Sequence, residues 1–407
     1  MLSYAEALAA IDALVVIPRL ETVPLANALG LVLAEDARLA APQPPFDRAT
    51  MDGYAVVSDG ARTGFRVLGT VAAGSEWDGA ALGPGEAVRI MTGAPAPAGT
   101  TVVPIEVTDR GETEVTVPDV KHLAAGRNIA WRGEDGAAGA VIVAAGTRLT
   151  PATIAAVAMC GQRQATVSWP PAVAVVTTGD EVGGDGAAAI SDSNGPLLSA
   201  LAQQLGLPHA RIHVRDEAQA LRLTLQAASE QADIVITTGG VSAGARDLVP
   251  EVASHLGFAP IFHHVAIQPG KPIFLAQRTA AKRGTARFLI GLPGNPVSVL
   301  ATAHLFLLPL IGRFLGGWKP AWLELPVAVD WTHSGTRHLF LPARLVRGGI
   351  EPIRWNGSGD LIAAAAGDGL VDLPPGTAAT RGTLLRFLPY VGVPLGERGR
   401  IPPRPSR

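Results

Sequence analysis

AVAVVTTGDE, residues 172–181, begins as an unbroken apolar run and ends on two threonines, a glycine and two acids. The same plan returns in ADIVITTGG at 232–240 and in FLIGLPGNP at 288–296. Each run has the length of one strand and none alternates apolar with polar residues, so each reads as a strand buried on both faces. Between and beside them NGPLLSALAQQLG (194–206), EAQALRLTLQAASEQ (217–231) and RDLVPEVASHLG (246–257) show helical spacing, while ARIHVRDE (210–217) and FHHVAIQPGKP (262–272) continue the rhythm. Strands alternating with helices from 171 to 318 predict a mostly parallel α/β sheet. In such a sheet ligands bind beyond the carboxyl ends of the strands. The loops TTGDE (177–181), TTGGVSAG (237–244) and GLPGNP (291–296) are therefore expected to meet at one crevice. Glycines there let backbone approach a ligand, and the helix N-termini that follow offer amides to an anion. Neither a Walker sequence nor GxGxxG is present, so a standard nucleotide fingerprint is excluded.

Outward from this domain the chain changes style. Ser3 and Glu6 form a capping box before an amphipathic helix, and VPLANALGLVLA (23–34) adds a second apolar run, which reads as a small helical opening. Short β-rich pieces such as GFRVLG, EAVRIM, TVVPIEV and TEVTVP then alternate with Gly/Pro turns and predict an inserted β-rich domain over 43–140. GTRLTPATIAAVAMCG (146–161) returns to helical spacing and is expected to pack back on the opening helix, so that 1–42 and 141–170 make one helical and linker domain. LELPVAVDW, HLFLPARLV and GTLLRFLPY predict a small β domain over 319–397, and the proline-rich basic stretch 398–407 reads as a disordered tail.

At 407 residues the chain needs several cores, and 48% hydrophobic residues supply them. A net charge of −2 gives no drive toward nucleic acid or an acidic membrane. PVSVLATAHLFLLPLIG (296–312) comes nearest to a membrane span, but Ser298, His304 and Pro309 make it a buried helix. Glu6 and Asp12 stand where a signal peptide would be apolar, so a cytoplasmic location is the expectation. Cys160 is the only cysteine, which excludes internal disulfides and a zinc site of several thiolates.

GVSAG (240–244) matches the GxSxG pattern of a hydrolase elbow, with Ser242 as nucleophile and Asp247 and His304 as partners. The elbow places its serine directly after a strand, whereas Thr237 to Gly240 intervene here. No two histidines have metal-ligand helical spacing, and His263 and His264, adjacent in a strand, are expected on opposite faces. Asp180, Glu181, Asp216 and Asp247 fall near carboxyl ends of strands and as a group suit a hard cation such as Mg2+ held against a phosphate; each alone is more often a cap or a solvated acid. WRGEDG adds Glu134 and Asp135, which read as turn residues near a domain junction. In PPFDRATMDGYAV (44–56) Asp52 precedes Gly53 and a strand, where its carboxylate can either reach a neighbouring cleft or cap backbone amides.

PPFDRATMDGYAV, RIMTGAPAPAG, WRGEDGAAGAVIVAAGTRLTP, TTGDEV, SDSN, TTGGVSAGARD, QPGKP and GLPGNPVS together, in that order, resemble the molybdopterin molybdotransferases, the MoeA and gephyrin E-domain family. The resemblance runs to about residue 312 and more weakly to about 395. It implies an enzyme of molybdenum cofactor biosynthesis that inserts molybdate into adenylylated molybdopterin with Mg2+ and releases AMP. It further implies a homodimer in which Asp52, Thr92 and Asp135 of one subunit face the α/β domain of the other. By motif, Glu181, Asp216 and Asp247 would position metal and phosphate. Gly239, Gly240, Ser242, Pro293, Gly294, Asn295 and Ser298 would line the pterin and anion pocket. Lys271 would meet the oxyanion, and Ser358 in WNGSGD would be the small terminal domain's contribution. A molybdopterin adenylyltransferase and recipient molybdoenzymes are the implied partners. The departures touch charge: Gln268 stands in QPGKP where lysine is common, His264 where another basic residue is common, and Pro342 where arginine is common; Arg337 and Arg344 lie nearby in sequence as substitutes. The loop after GAPAPAG is short and reads TTVVPIE, without the usual acid. A pterin-binding or scaffold member without turnover is the alternative within the family, and the Ser242 hydrolase the alternative outside it.

Overall fold

The computed structural model describes residues 1–183, 190–241, 248–279 and 286–392. Ser242, Asp247 and the tail from Arg398 lie outside the described residues. The chain forms two compact units, one from 1–34, 145–150 and 166 onward, the other from 35–144 and 151–165.

In the first unit α1 (Tyr4–Asp12) starts at the expected capping box: Ser3 Oγ accepts the Glu6 amide at 3.2 Å and the Glu6 carboxylate accepts the Ser3 amide at 2.7 Å. Its buried stripe is Tyr4, Ala7 and Ile11. The run 23–34 is not helical. It holds strands Leu20–Pro24 and Val32–Leu33 around one tight 3-10 turn, paired on either side of Gln164–Ser168. Pro24 and the left-handed Gly30 (φ 77°) interrupt the helical spacing that its apolar residues imitate.

The α/β core consists of β1 (Val173–Thr178), α2 (Asn194–Leu205), β2 (His209–Val214), α3 (Ala218–Gln231), β3 (Ile234–Thr238), α4 (Val249–His255), β4 (Ala259–His263), β5 (Phe274–Thr279), β6 (Ala286–Leu292) and a long helix, α5 (Pro296–Phe314). The sheet order is β2-β1-β3-β6-β5-β4; the first four strands are parallel, β5 runs antiparallel to β6, and β4, antiparallel to β5, returns to the direction of the first four. Alternate residues of each strand feed opposite cores. Val173, Val175, Ile234, Ile236 and Ile290 face the side covered by α1, α2 and α5, while Val176, Val235 and Leu289 face α3 and α4. α5 is the one described helix long and apolar enough to cross a membrane, yet 78% of its apolar window is buried in the protein. It widens into a single π turn at Ala303–Leu307. α1 packs against its last turns.

The C-terminal β segment joins this unit through a short parallel pairing, Ile267 with His338 and Gln268 with Leu339. It contains β7 (Leu323–Pro326), β8 (His338–Val346), β9 (Gly349–Pro352), β10 (Gly369–Leu373) and β11 (Leu384–Pro389).

The second unit is built on a five-stranded sheet in the order Thr101–Pro104, Gly53–Val56, Glu86–Ile90, Gly64–Val71, Glu114–Thr116. Its helix Pro151–Met159 packs on strand Val141–Val143. Val157 is the buried residue of that helix.

Candidate active site

The connection from β1 through α2 leads outward to β2, and that through α3 returns past β1 to β3, so the strand order reverses between β1 and β3. A crevice at the carboxyl ends follows from that reversal. The register aligns the ends: Thr177 stands opposite Thr238, and Thr238 opposite Leu292. The three glycine loops therefore leave the sheet at one level, as their sequences imply.

Backbone contacts fix these loops to one another. The Gly239 amide donates to Leu292 O at 3.0 Å, and Thr178 Oγ1 donates to Thr238 O at 3.1 Å. Gly239 adopts φ 87°, and a Cβ there would lie 2.9 Å from Thr178 Oγ1, so only glycine fits without strain. A Cβ on Gly294 would sit 3.9 Å from Gly239 Cα, which measures how closely the two loops approach. Asn194, the first residue of α2, donates from Nδ2 to Gly294 O at 2.7 Å.

Acids gather at the same edge. The Asp216 amide donates to Asp180 Oδ1 at 3.3 Å, bringing the end of β2 to the loop after β1. Asp180 and Glu181 are exposed. A Cβ on Gly179 would lie 3.0 Å from the Glu181 carboxylate, which folds back over the turn. Among the described residues no three acids or histidines group as a ligand set for a metal ion.

The QPGKP loop lies against the start of α5. Gly270, at φ 100°, would drive a Cβ to 2.3 Å from Thr302 Cγ2. The contact holds Lys271 on a tight base, where its side chain is exposed and makes no ion pair among the described residues. Asn295 Nδ2 donates to Ser358 Oγ at 2.8 Å, and the Val297 amide donates to Ser358 O at 3.0 Å. Ser358 thus reaches GLPGNP, and it occupies a helix-terminal amide that the sequence left open to an anion. Pro293 lies between Leu292 and Gly294 in this loop, Gly240 (φ 65°) follows Gly239, and Ser298 is buried at 3% exposure on α5.

The geometry separates the two arginines. Arg337 immediately precedes the residues that pair with Ile267 and Gln268, so it lies beside the QPGKP segment. Arg344 is six residues past His338 on β8, roughly 20 Å along the strand, and a bidentate bond to Glu351 at 3.0 Å occupies its guanidinium. Its charge is already paired. Pro342 is buried in the same strand.

His263 and His264 depart from strand alternation: their rings stack at 3.9 Å with 16° between planes. His264 lies past the end of β4 with φ 68°, and this left-handed residue turns its ring back onto its neighbour. His263 donates from Nε2 to Val241 O at 3.0 Å, fixing the last described residue before 242–247.

In the second unit PPFDRATMDGYAV ties together the two loops that carry the other expected site residues. Ala49 exchanges bonds with Gly93 and Ala94, and Asp47 O accepts the Ala96 amide. On the other loop, the Arg132 amide donates to Asp47 Oδ1 at 2.9 Å, the Gly133 amide to Pro44 O at 2.9 Å, and the Asp135 amide to Gln43 O at 2.9 Å. Asp52 Oδ1 accepts both the Thr92 amide at 2.6 Å and the Thr92 hydroxyl at 2.8 Å. These bonds, the amide first, hold the Asp52 carboxyl below its ordinary value and keep it ionised.

Three family profiles match in order: the MoeA N-terminal region (domain I and II) over residues 2–161, the probable molybdopterin binding domain over 174–313, and the MoeA C-terminal region (domain IV) over 324–390. The chain is similar to the molybdopterin molybdenumtransferase of Staphylococcus aureus, 34% identical over 377 residues that cover 88% of this chain and 87% of that one. The chain belongs to the MoeA family. Crystal structures of molybdopterin biosynthesis MoeA proteins from Pyrococcus horikoshii resemble it over 96% of its length and 100% of theirs, at 29% identity with TM-score 0.74 and at 26% with TM-score 0.78. MoeA membership over this span sets aside the serine-hydrolase alternative. The structure weakens that reading as well, since β3 ends at Thr238 and three residues intervene before Ser242.

Proposed function

We propose that this MoeA-family chain inserts molybdenum into molybdopterin, and so is a transferase of molybdenum cofactor biosynthesis. The observation that carries the reading is the convergence of TTGDE, TTGG and GLPGNP at the sheet's reversal point, with Ser358 bound to GLPGNP and the QPGKP loop clamped on α5. Close-packed glycine backbone suits a flat pterin. An exposed Lys271 suits a compact oxyanion such as molybdate.

In the finer form of the proposal the substrate is adenylylated molybdopterin and AMP is the leaving product. Glu181 and Asp216, with Asp247, would hold Mg2+; carboxylate oxygens are the donor type that a hard cation takes. The ion would neutralise phosphate charge as the adenylate bond breaks. Lys271 and Arg337 bind and orient the oxyanion, and the glycine loops bind the pterin. The working form is a cytoplasmic homodimer, in which Asp52, Thr92 and Asp135 complete the partner's crevice. Phe46, Met51, Met91 and Trp131, on or beside the segments that PPFDRATMDGYAV ties together, are 36–50% exposed, which supports a covered surface there. A molybdopterin adenylyltransferase supplies the substrate and molybdoenzymes receive the product.

Gln268, the buried Pro342 and the paired Arg344 favour a second reading, a pterin-binding member without turnover. AMP release from adenylylated molybdopterin with Mg2+, followed with and without molybdate, separates the two. Molybdate-dependent release is the expected result, and stoichiometric pterin binding without release would establish the second reading.

A further inference from the structure

SDSN, residues 191–194, is a motif to which no role has yet been given. The start of α2 does not need the Asn194 side chain, because Asp192 Oδ1 already accepts the Gly195 amide at 2.9 Å. Asn194 reaches instead across the fold to Gly294 O at 2.7 Å. Since the partner is a carbonyl, the contacting atom is the N–H donor Nδ2, and Oδ1 is the other end of the amide. Oδ1 is enclosed and has no hydrogen-bond partner among the described residues. An enclosed acceptor without a partner is a cost. Asparagine is therefore kept here for its donor, whose bond crosses 100 residues of chain.

Gly294 stands between two contacts that shape the crevice. On one side it approaches Gly239, whose amide is bonded to Leu292 O. On the other, Asn295 grips Ser358. We propose that Asn194 is a positioning residue: by holding the Gly294 carbonyl it sets the spacing of the TTGG and GLPGNP loops and keeps Asn295 turned toward Ser358, so that the pterin slot is formed before substrate arrives. The inference rests on the reading of this crevice as a pterin site. It touches no reacting atom, so its effect falls on binding and not on turnover.

The test uses the full chain with purified molybdopterin, in wild type, Asn194→Leu and Asn194→Asp. Leucine removes both the donor and the stranded acceptor. Aspartate keeps the shape but sets a carboxylate oxygen against the Gly294 carbonyl. The expected result is affinity roughly tenfold weaker in Asn194→Leu and weaker still in Asn194→Asp. KM for adenylylated molybdopterin should rise in parallel, kcat should stay within about twofold, and the melting temperature of Asn194→Leu should stay within about 2 °C of wild type. Unchanged affinity in both variants would overturn the positioning role. A loss of affinity that merely tracks a lowered melting temperature would reduce it to a structural one. Wild-type protein that binds no molybdopterin would instead overturn the pterin reading of the crevice, and this inference with it.

Discussion

In the crevice of the first unit the loops are shaped by backbone meeting backbone, with Gly239 close to Gly294 and Gly270 pressed on α5. In the second unit the loops around Asp52 are tied by carboxylates, Asp52 to Thr92 and Asp47 to Arg132. The difference teaches what each region tolerates. The first fails when volume is added at Gly270 or Gly239, where a Cβ would run into Thr302 or Thr178. The second holds its shape through charge-assisted bonds at the surface and fails when an acceptor is removed.

The largest effect expected from this contrast is that of Gly270→Ala. Its methyl would meet Thr302 Cγ2 at 2.3 Å and its φ of 100° would be strained, so overpacking and backbone strain together cost about 4 kcal/mol of unfolding free energy in a urea titration. Wild-type stability in that variant would show that the QPGKP loop is not clamped on α5.

Next in size is the pH response of a buried group in the first unit. His304 sits in the π turn of α5 at 3% exposure, with Nδ1 on Leu300 O at 2.8 Å and Nε2 accepting the Val391 amide at 3.2 Å. Burial lowers its pKa from 6.5 to about 4. Below pH 6.5 the unfolded chain takes up a proton that the fold refuses, so stability declines as pH falls from 6.5 to about 4 and levels off beneath the folded value. The decline attributable to His304 is about 3 kcal/mol. In His304→Gln this part of the slope should vanish from urea midpoints followed against pH; an unchanged slope would assign it to other groups. Asp52, exposed and ionised, shows the opposite sign of shift: its stabilising bonds persist above the ordinary carboxylate range and are lost as pH falls through its lowered value.

Much of the crevice was legible because its determinants are local. The Ser3 and Glu6 spacing gave the helix start. The apolar runs ending at Thr178, Thr238 and Leu292 gave the parallel strands and placed their loops at one edge. What escaped depended on distant partners. FLAQRT at 274–279 carries no sign that it runs antiparallel to β6, because an apolar strand reads the same in either direction. The stacked His263 and His264 follow from one left-handed residue that favours no particular sequence signal. Asn194 looks like any helix-start asparagine until its partner Gly294 is known. Arg344, a plausible substitute cation by position, pairs with Glu351 across a hairpin whose register the sequence does not display.

The central claim is that the crevice loops of the first unit, with Lys271, bind the oxyanion. It is tested most directly by the molybdate dependence of AMP release from adenylylated molybdopterin in wild type, Lys271→Ala and Asp52→Ala. Loss of a charge-assisted contact at Lys271 should raise the molybdate concentration for half-maximal release roughly 30-fold. Asp52→Ala should leave that concentration nearly unchanged while lowering the rate. Equal shifts in the two variants would contradict the assignment of the oxyanion to Lys271.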